Sequence, residues 1–110
     1  MTSVTIGNSV TYIGSSAFKG CTGLTSITIP ESVTEIGYEA FGNCTKLTIV
    51  NFNAKNCPGI ESSSYSVFEG CSNLSTINIG NKVETIPEGA FNGCTSIKTV
   101  NSYTKVPPTI

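Results

Sequence analysis

Apolar side chains recur along this chain in one fixed order. Between residues 24 and 46 they fall at Leu24, Ile27, Ile29, Val33, Ile36, Ala40, Phe41 and Cys44, with mostly polar residues and Gly between them. Ile27 and Ile29 alternate with Ser26 and Thr28, the period of two that marks a strand with one face buried. Val33 and Ile36 predict a second, shorter extended piece. Ala40-Phe41 predicts a helical or 3₁₀ turn whose ring points inward. The same order returns along the chain: Phe at 18, 41, 68 and 91 steps by 23, 27 and 23 residues, and Cys at 21, 44, 71 and 94 steps identically. Val4, Ile27, Val50, Ile77 and Val100 step by 23, 23, 27 and 23. Three registers that share one irregularity establish an internal repeat.

Counted from Met1, the units are 1–23, 24–46, 47–73 and 74–96, with a partial unit over 97–110, all within a single domain 1–110. The consensus reads L-x-x-I-x-I-x-x-x-V-x-x-I-G-x-x-A-F-x-G-C-T-x. The third unit is four residues longer. In it Cys57 and Ile60 stand for Val33 and Ile36, displaced by one, and the other extra residues fall between Glu61 and Ser66. A bulged loop is therefore expected between Lys55 and Ser66, with Ser62-Ser63-Ser64 as a flexible stretch. Position 20 of the unit holds Gly20, Asn43, Gly70 and Gly93. Gly and Asn are the residues that tolerate positive φ, so this position is expected to be a left-handed cap closing the turn. Position 14 holds Gly14 and Gly37 but also Pro87, whose φ is fixed near about −65°, so positive φ is not expected there.

A unit this short cannot bury its own apolar side chains. Stacking units at the strand-to-strand spacing of about 4.8 Å joins them into one core, with each repeated position forming a column along the axis. The expected fold is a strand-rich, right-handed solenoid, α/β by repeat-class convention, with short parallel strands and short helical or 3₁₀ turns. Its first and last coils would expose apolar columns, which end-to-end association of copies would cover.

The string Ile27-Thr28-Ile29-Pro30-x-Ser32-Val33-Thr34-x-Ile36-Gly37-x-x-Ala40-Phe41-x-x-Cys44-Thr45 resembles the BspA-like leucine-rich repeats, and the likeness covers nearly the whole chain. The closing stretch from Val100 to Ile110 resembles the exit from such arrays. The resemblance implies a leucine-rich-repeat solenoid in a secreted or cell-surface protein. It also implies adhesion to host or bacterial partners, such as extracellular matrix or another bacterial surface protein. The longer third unit departs from the family pattern.

Composition narrows the chemistry. Charged residues are 12% of the chain and the net charge is −1, a field too weak to steer nucleic acid or an anionic membrane. No apolar run approaches the roughly 18–20 residues that span a bilayer, so membrane insertion is not expected. Met1–Ile6 has neither a basic nor an apolar region of the kind that begins a signal peptide. His, Asp, Arg and Trp are absent from the sequence. Without an imidazole base or a histidine ligand, the chain is expected to be neither an enzyme nor the holder of a metal or cofactor.

The cysteine ladder admits core thiols, disulfides between coils, or a metal site. Side chains pointing in parallel into the core favour free thiols acting as small hydrophobes. Cys57 falls in a column otherwise held by Val10, Val33 and Val83 and is read as core as well. Glu31, Glu35 and Glu39 sit four apart; the repeat puts them on different parts of a coil, where a solvated exterior is expected.

Function is left to the outward face of the first strand. Position 5 reads Thr5, Thr28, Asn51, Asn78 and Asn101; position 3 reads Ser3, Ser26, Ile49, Thr76 and Thr99; position 7 includes Asn53 and Tyr103. In leucine-rich repeats this sheet lines the concave face, where solenoids bind. The expected partner-binding residues are Thr28, Ile49, Asn51, Asn53, Asn78, Asn101 and Tyr103. Ile49 and Tyr103 stand out as large apolar or aromatic side chains on a polar face. The competing reading is a spacer, with Thr and Asn merely solvating the strands.

Overall fold

The computed structural model describes residues 4–57, 67–84, 91 and 94–103. The loop expected before Val67, including Ser62-Ser63-Ser64, lies outside these residues, as do Ser3, Pro87 and Gly93. Six strands are present: β1 (Tyr12–Ile13), β2 (Ser26–Ile29), β3 (Glu35–Ile36), β4 (Ile49–Phe52), β5 (Thr76–Ile79) and β6 (Thr99–Ser102). They form two parallel sheets, a four-stranded one in the order β2-β4-β5-β6 and a two-stranded one pairing β1 with β3. Ile27 pairs with Val50, Val50 with Ile77 and Ile77 with Val100, so this inward column is continuous across the four-stranded sheet, while the column of Ile29, Phe52 and Ile79 ends on Ser102. Each coil after the first contributes one rung to this sheet, and the first coil joins the stack through β1, which makes the molecule a solenoid.

Alternation along each strand separates core from surface. In β2, Ile27 and Ile29 are buried while Ser26 and Thr28 are exposed, and in β4 Val50 and Phe52 are buried. The second coil buries its whole apolar set, from Leu24 to Cys44. The ends differ. Val4, Ile6, Val10 and Phe18 in the first coil are only partly buried, and Val100 in the last is 58% exposed. The concave face was expected to carry five strands; the sheet has four, because residues 4–7 enter no strand.

The turns are not helical, contrary to the sequence expectation: among the described residues they are hydrogen-bonded turns. In the first coil the N–H groups of Ala17, Lys19 and Cys21 donate locally, to the carbonyls of Gly14, Ser16 and Phe18. Those of Ser16, Phe18 and Gly20 donate instead to the next coil, to Tyr38, Ala40 and Gly42 at 2.7–2.9 Å. Phe41 and Asn43 repeat this toward Val67 and Glu69. With every second N–H committed to the neighbouring coil, no helix can propagate. The same alternation requires left-handed residues. Gly20, Asn43 and Gly70 have φ of 77°, 56° and 79°, as their residue types suggested. Ser16 and Glu39 are also left-handed, at 60° and 50°, although neither residue type signals it.

The cysteines form a ladder of their own. The thiols of Cys44, Cys71 and Cys94 donate to the carbonyls of Phe18, Phe41 and Phe68 in the preceding coil, at 3.3, 3.1 and 3.7 Å. All five cysteines are free thiols. Burial, with Glu35 as a lesser influence, pushes the Cys57 thiol up to about 11; burial, with Glu69, does the same for Cys94. Such a thiol keeps its proton in the folded state longer than in the unfolded chain, where it titrates near about 8.5. Its stabilising contribution is therefore complete below about pH 8.5 and lost as the pH rises through about 11. Replacing Cys57 by Val should change stability by less than about 1.5 kcal/mol at neutral pH. It should also reduce the fall in urea midpoint between about pH 7 and about pH 10. An equal alkaline loss in both proteins would show that this thiol is not the group responsible.

Candidate functional site

The outward face of the four-stranded sheet is built by the residues that alternate with the core columns. Thr28, Asn51, Asn78 and Asn101 stand side by side because β2, β4, β5 and β6 pair in register. Their side chains bond to one another in series. Asn51 Nδ2 donates to Thr28 Oγ1 at 3.2 Å, Asn78 Nδ2 to Asn51 Oδ1 at 2.9 Å, and Asn101 Nδ2 to Asn78 Oδ1 at 2.9 Å. Every bond runs from a later coil to the one before it, so the amide dipoles align and reinforce one another.

Two residues further along each strand, on the same face, lie Pro30, Asn53, Gly80 and Tyr103. Gly80 interrupts this row. A Cβ at Gly80 would run into the Asn53 side chain, whose Oδ1 lies over the glycine and whose Cγ would be 3.1 Å away. Asn53 thus leans across the gap from one side, and Tyr103, 62% exposed, borders it on the other. The result is a cleft of about 270 Å³ lined by Thr28, Asn51, Asn53, Asn78, Gly80 and Tyr103. It shares Thr28 and Asn53 with a second cleft of about 270 Å³ toward the first coil, and Asn53 and Gly80 with a third of about 250 Å³ beside Glu31 and Lys82. Together they form a groove along one margin of the sheet.

Of the seven residues singled out in the sequence, five line this cleft: Thr28, Asn51, Asn53, Asn78 and Tyr103. Asn101 supports it through its bond to Asn78. Ile49 is on the same face but at the opposite end of β4, 37% exposed and outside the cleft. Thr5 is exposed but takes no part in the amide ladder, since its segment forms no strand. Gly80 was not singled out, although the run Pro30, Asn53, Gly80, Tyr103 held the signal in the form of a side chain absent between two large polar ones.

No carboxylate or amine lines the cleft at Gly80. At the groove's margin Glu31 and Lys82 pair at 3.5 Å, both largely exposed. Glu39 corrects the expectation of a solvated exterior. Its side chain is largely covered, and its carboxylate meets the Lys19 ammonium at 3.3 Å. A hydrogen bond from Tyr38, and then Lys19, hold it below its ordinary pKa against the opposing effect of burial. Among the described residues no group of three or more His, Cys, Asp or Glu side chains gathers as a metal site, and no helix is long and apolar enough to cross a membrane.

Solved structures and family models place this architecture among known proteins. A crystal structure of a leucine-rich repeat protein from Eubacterium ventriosum is 33% identical, with a TM-score of 0.69 over 92% of this chain and 26% of that one. One from Bacteroides ovatus is also 33% identical, with a TM-score of 0.52, covering 84% of this chain and 29% of that one. A leucine rich cell surface protein from Faecalibacterium prausnitzii is 28% identical, with a TM-score of 0.50, covering 88% and 31%. The chain thus spans less than a third of the length of each. No curated protein matches it. The family model described as BspA type leucine rich repeat region matches residues 1–107 in six copies, and the chain belongs to that family.

Proposed function

We propose that this chain is a non-enzymatic interaction module of a cell-surface or secreted, adhesin-like protein. In this reading it acts as one solenoid over 1–110 and binds host or bacterial partners through the four-stranded face. The observation that carries the reading is the built character of that face. Its side chains are bonded into a fixed row bordered by exposed Ile49 and Tyr103, whereas a merely solvated strand surface would leave them independent. The cell-surface description of the Faecalibacterium protein supports the location. Four strands of four residues project on the order of 250 Å², against about 800 Å² per partner in a standard interface. A single copy should therefore hold a large protein weakly, and a longer array or end-to-end stacking of copies would raise avidity.

The test is binding of extracellular matrix proteins, bacterial surface proteins and glycans to the immobilised chain, compared with a variant carrying Ile49→Asp and Tyr103→Ala. At least one partner should bind, and the double substitution should weaken it by about tenfold or more. No partner in the screen, or undiminished binding by the variant, would favour the spacer reading instead.

A further inference from the structure

We infer that the groove beside the amide ladder takes a neutral carbohydrate chain lying along the solenoid axis, with one sugar ring in the gap at Gly80 against Tyr103. The inference rests on the proposed use of this face for binding and names the chemistry that it recognises.

The first argument is hydrogen-bonding capacity. A side-chain amide offers two N–H groups and two lone pairs. The ladder takes one N–H from each of Asn51, Asn78 and Asn101, and one lone pair from Asn51 and Asn78. Each asparagine keeps at least one donor and one acceptor, repeated at the strand spacing of about 4.8 Å. A hydroxyl both donates and accepts, so a polyhydroxyl chain can satisfy such a row in either sense at every rung. Because the ladder fixes the amides before binding, little rotamer entropy remains to be lost.

Charge and shape narrow the choice. The cleft at Gly80 has no carboxylate or amine in its lining, and Glu31 and Lys82 in the flanking clefts pair with each other at 3.5 Å, so the groove carries no net charge to select an anionic or cationic ligand. The gap at Gly80 lies between Asn53 and Tyr103, which gives it a polar wall and an aromatic one. The exposed Tyr103 ring supplies an apolar surface for the C–H face of a sugar while its hydroxyl stays in water. An oligosaccharide also fits the small area of the face, which a globular protein partner would overrun.

The experiment titrates the whole chain with neutral oligosaccharide series (gluco-, manno-, galacto- and N-acetylglucosamine oligomers) and with uronic-acid and sulfated counterparts, followed by calorimetry and by amide-resonance shifts of Asn side chains. At least one neutral series should bind, more tightly with length until the groove is spanned, with no gain from anionic groups and little dependence on salt. Tyr103→Ala should weaken binding by about tenfold. Gly80→Val, at a glycine without positive φ whose nearest obstacle is the movable Asn53 side chain, should fill the gap and abolish binding. Lys46→Ala, at an exposed residue outside the groove, should leave it unchanged, and thermal melts establish that each variant folds. Failure of every neutral series, or binding indifferent to both Gly80→Val and Tyr103→Ala, overturns the inference. Binding of an uncharged extended peptide at the Gly80 gap in place of sugars overturns it too, yet leaves the interaction module standing. Protein binding that is sensitive to Ile49→Asp, without sugar binding, has the same meaning. Only the loss of all binding would remove both.

Discussion

Replacing Phe41 with Ala should cost about 3–5 kcal/mol, a large share of the roughly 5–15 kcal/mol that holds a domain folded. The ring is fully buried and lies in a column of four, stacked on Phe18 at 5.2 Å and on Phe68 at 5.4 Å, with interplanar angles of 11° and 13°. Removing it takes away apolar burial and two aromatic faces at once. The surroundings also have little freedom to collapse. The Phe41 backbone is fixed by its N–H to Val67 at 3.0 Å and by its carbonyl, which accepts the Cys71 thiol at 3.1 Å. The cavity would therefore persist, which places the expected cost toward the upper part of the range. Phe18, at the end of the column, is only partly buried and has one stacked neighbour, so Phe18→Ala should cost clearly less. Urea unfolding of the two variants decides the matter. A loss below about 1 kcal/mol at Phe41, or an equal loss at both sites, would contradict a stacked aromatic core.

The repeat made the inward half of this molecule legible. Once Phe18, Phe41 and Phe68 share a register, their stacking follows from one coil being laid on the next, and the positive φ at Gly20, Asn43 and Gly70 follows from a position that admits only Gly or Asn. The outward half was legible only as columns of residue types. That Asn51, Asn78 and Asn101 would share a column was visible; that their amides would bond in series, ending on Thr28, depends on rotamers that residue identity does not specify. The turns depart from the helical expectation for a related reason. Ala40-Phe41 suits a helix locally, but the pairing of alternate N–H groups with the next coil is a property of the stack and not of the segment. Glu39 reads as a solvated carboxylate in the sequence because Lys19, in the preceding coil, becomes its partner only when the coils are stacked.

The same dependence on the stack separates two glycines that occupy one repeat position. Neither Gly14 nor Gly37 has positive φ, so by local conformation each could become Ala. A Cβ on Gly37, however, would collide with the first coil: it would lie 2.7 Å from Ser15 Cα and 2.8 Å from the Gly14 carbonyl carbon, and closer still to the Ser15 nitrogen. All three are backbone atoms, and no side-chain rotation relieves the clash. The two coils would have to part, straining the Gly37 N–H bond to Ile13 at 2.7 Å and the Ser16 N–H bond to Tyr38 at 2.9 Å. Gly37→Ala should therefore destabilise the protein by about 1–3 kcal/mol or more. A Cβ on Gly14 would meet only the Tyr12 ring at 3.8 Å, an ordinary contact. Gly14→Ala also narrows the unfolded ensemble, so it should stabilise by about 0.4–1 kcal/mol. Opposite signs at one repeat position, read from paired urea melts, would mean that the glycine is required by the coil stacked against it and not by its own backbone. Equal losses at both positions would refute this account of how the coils approach.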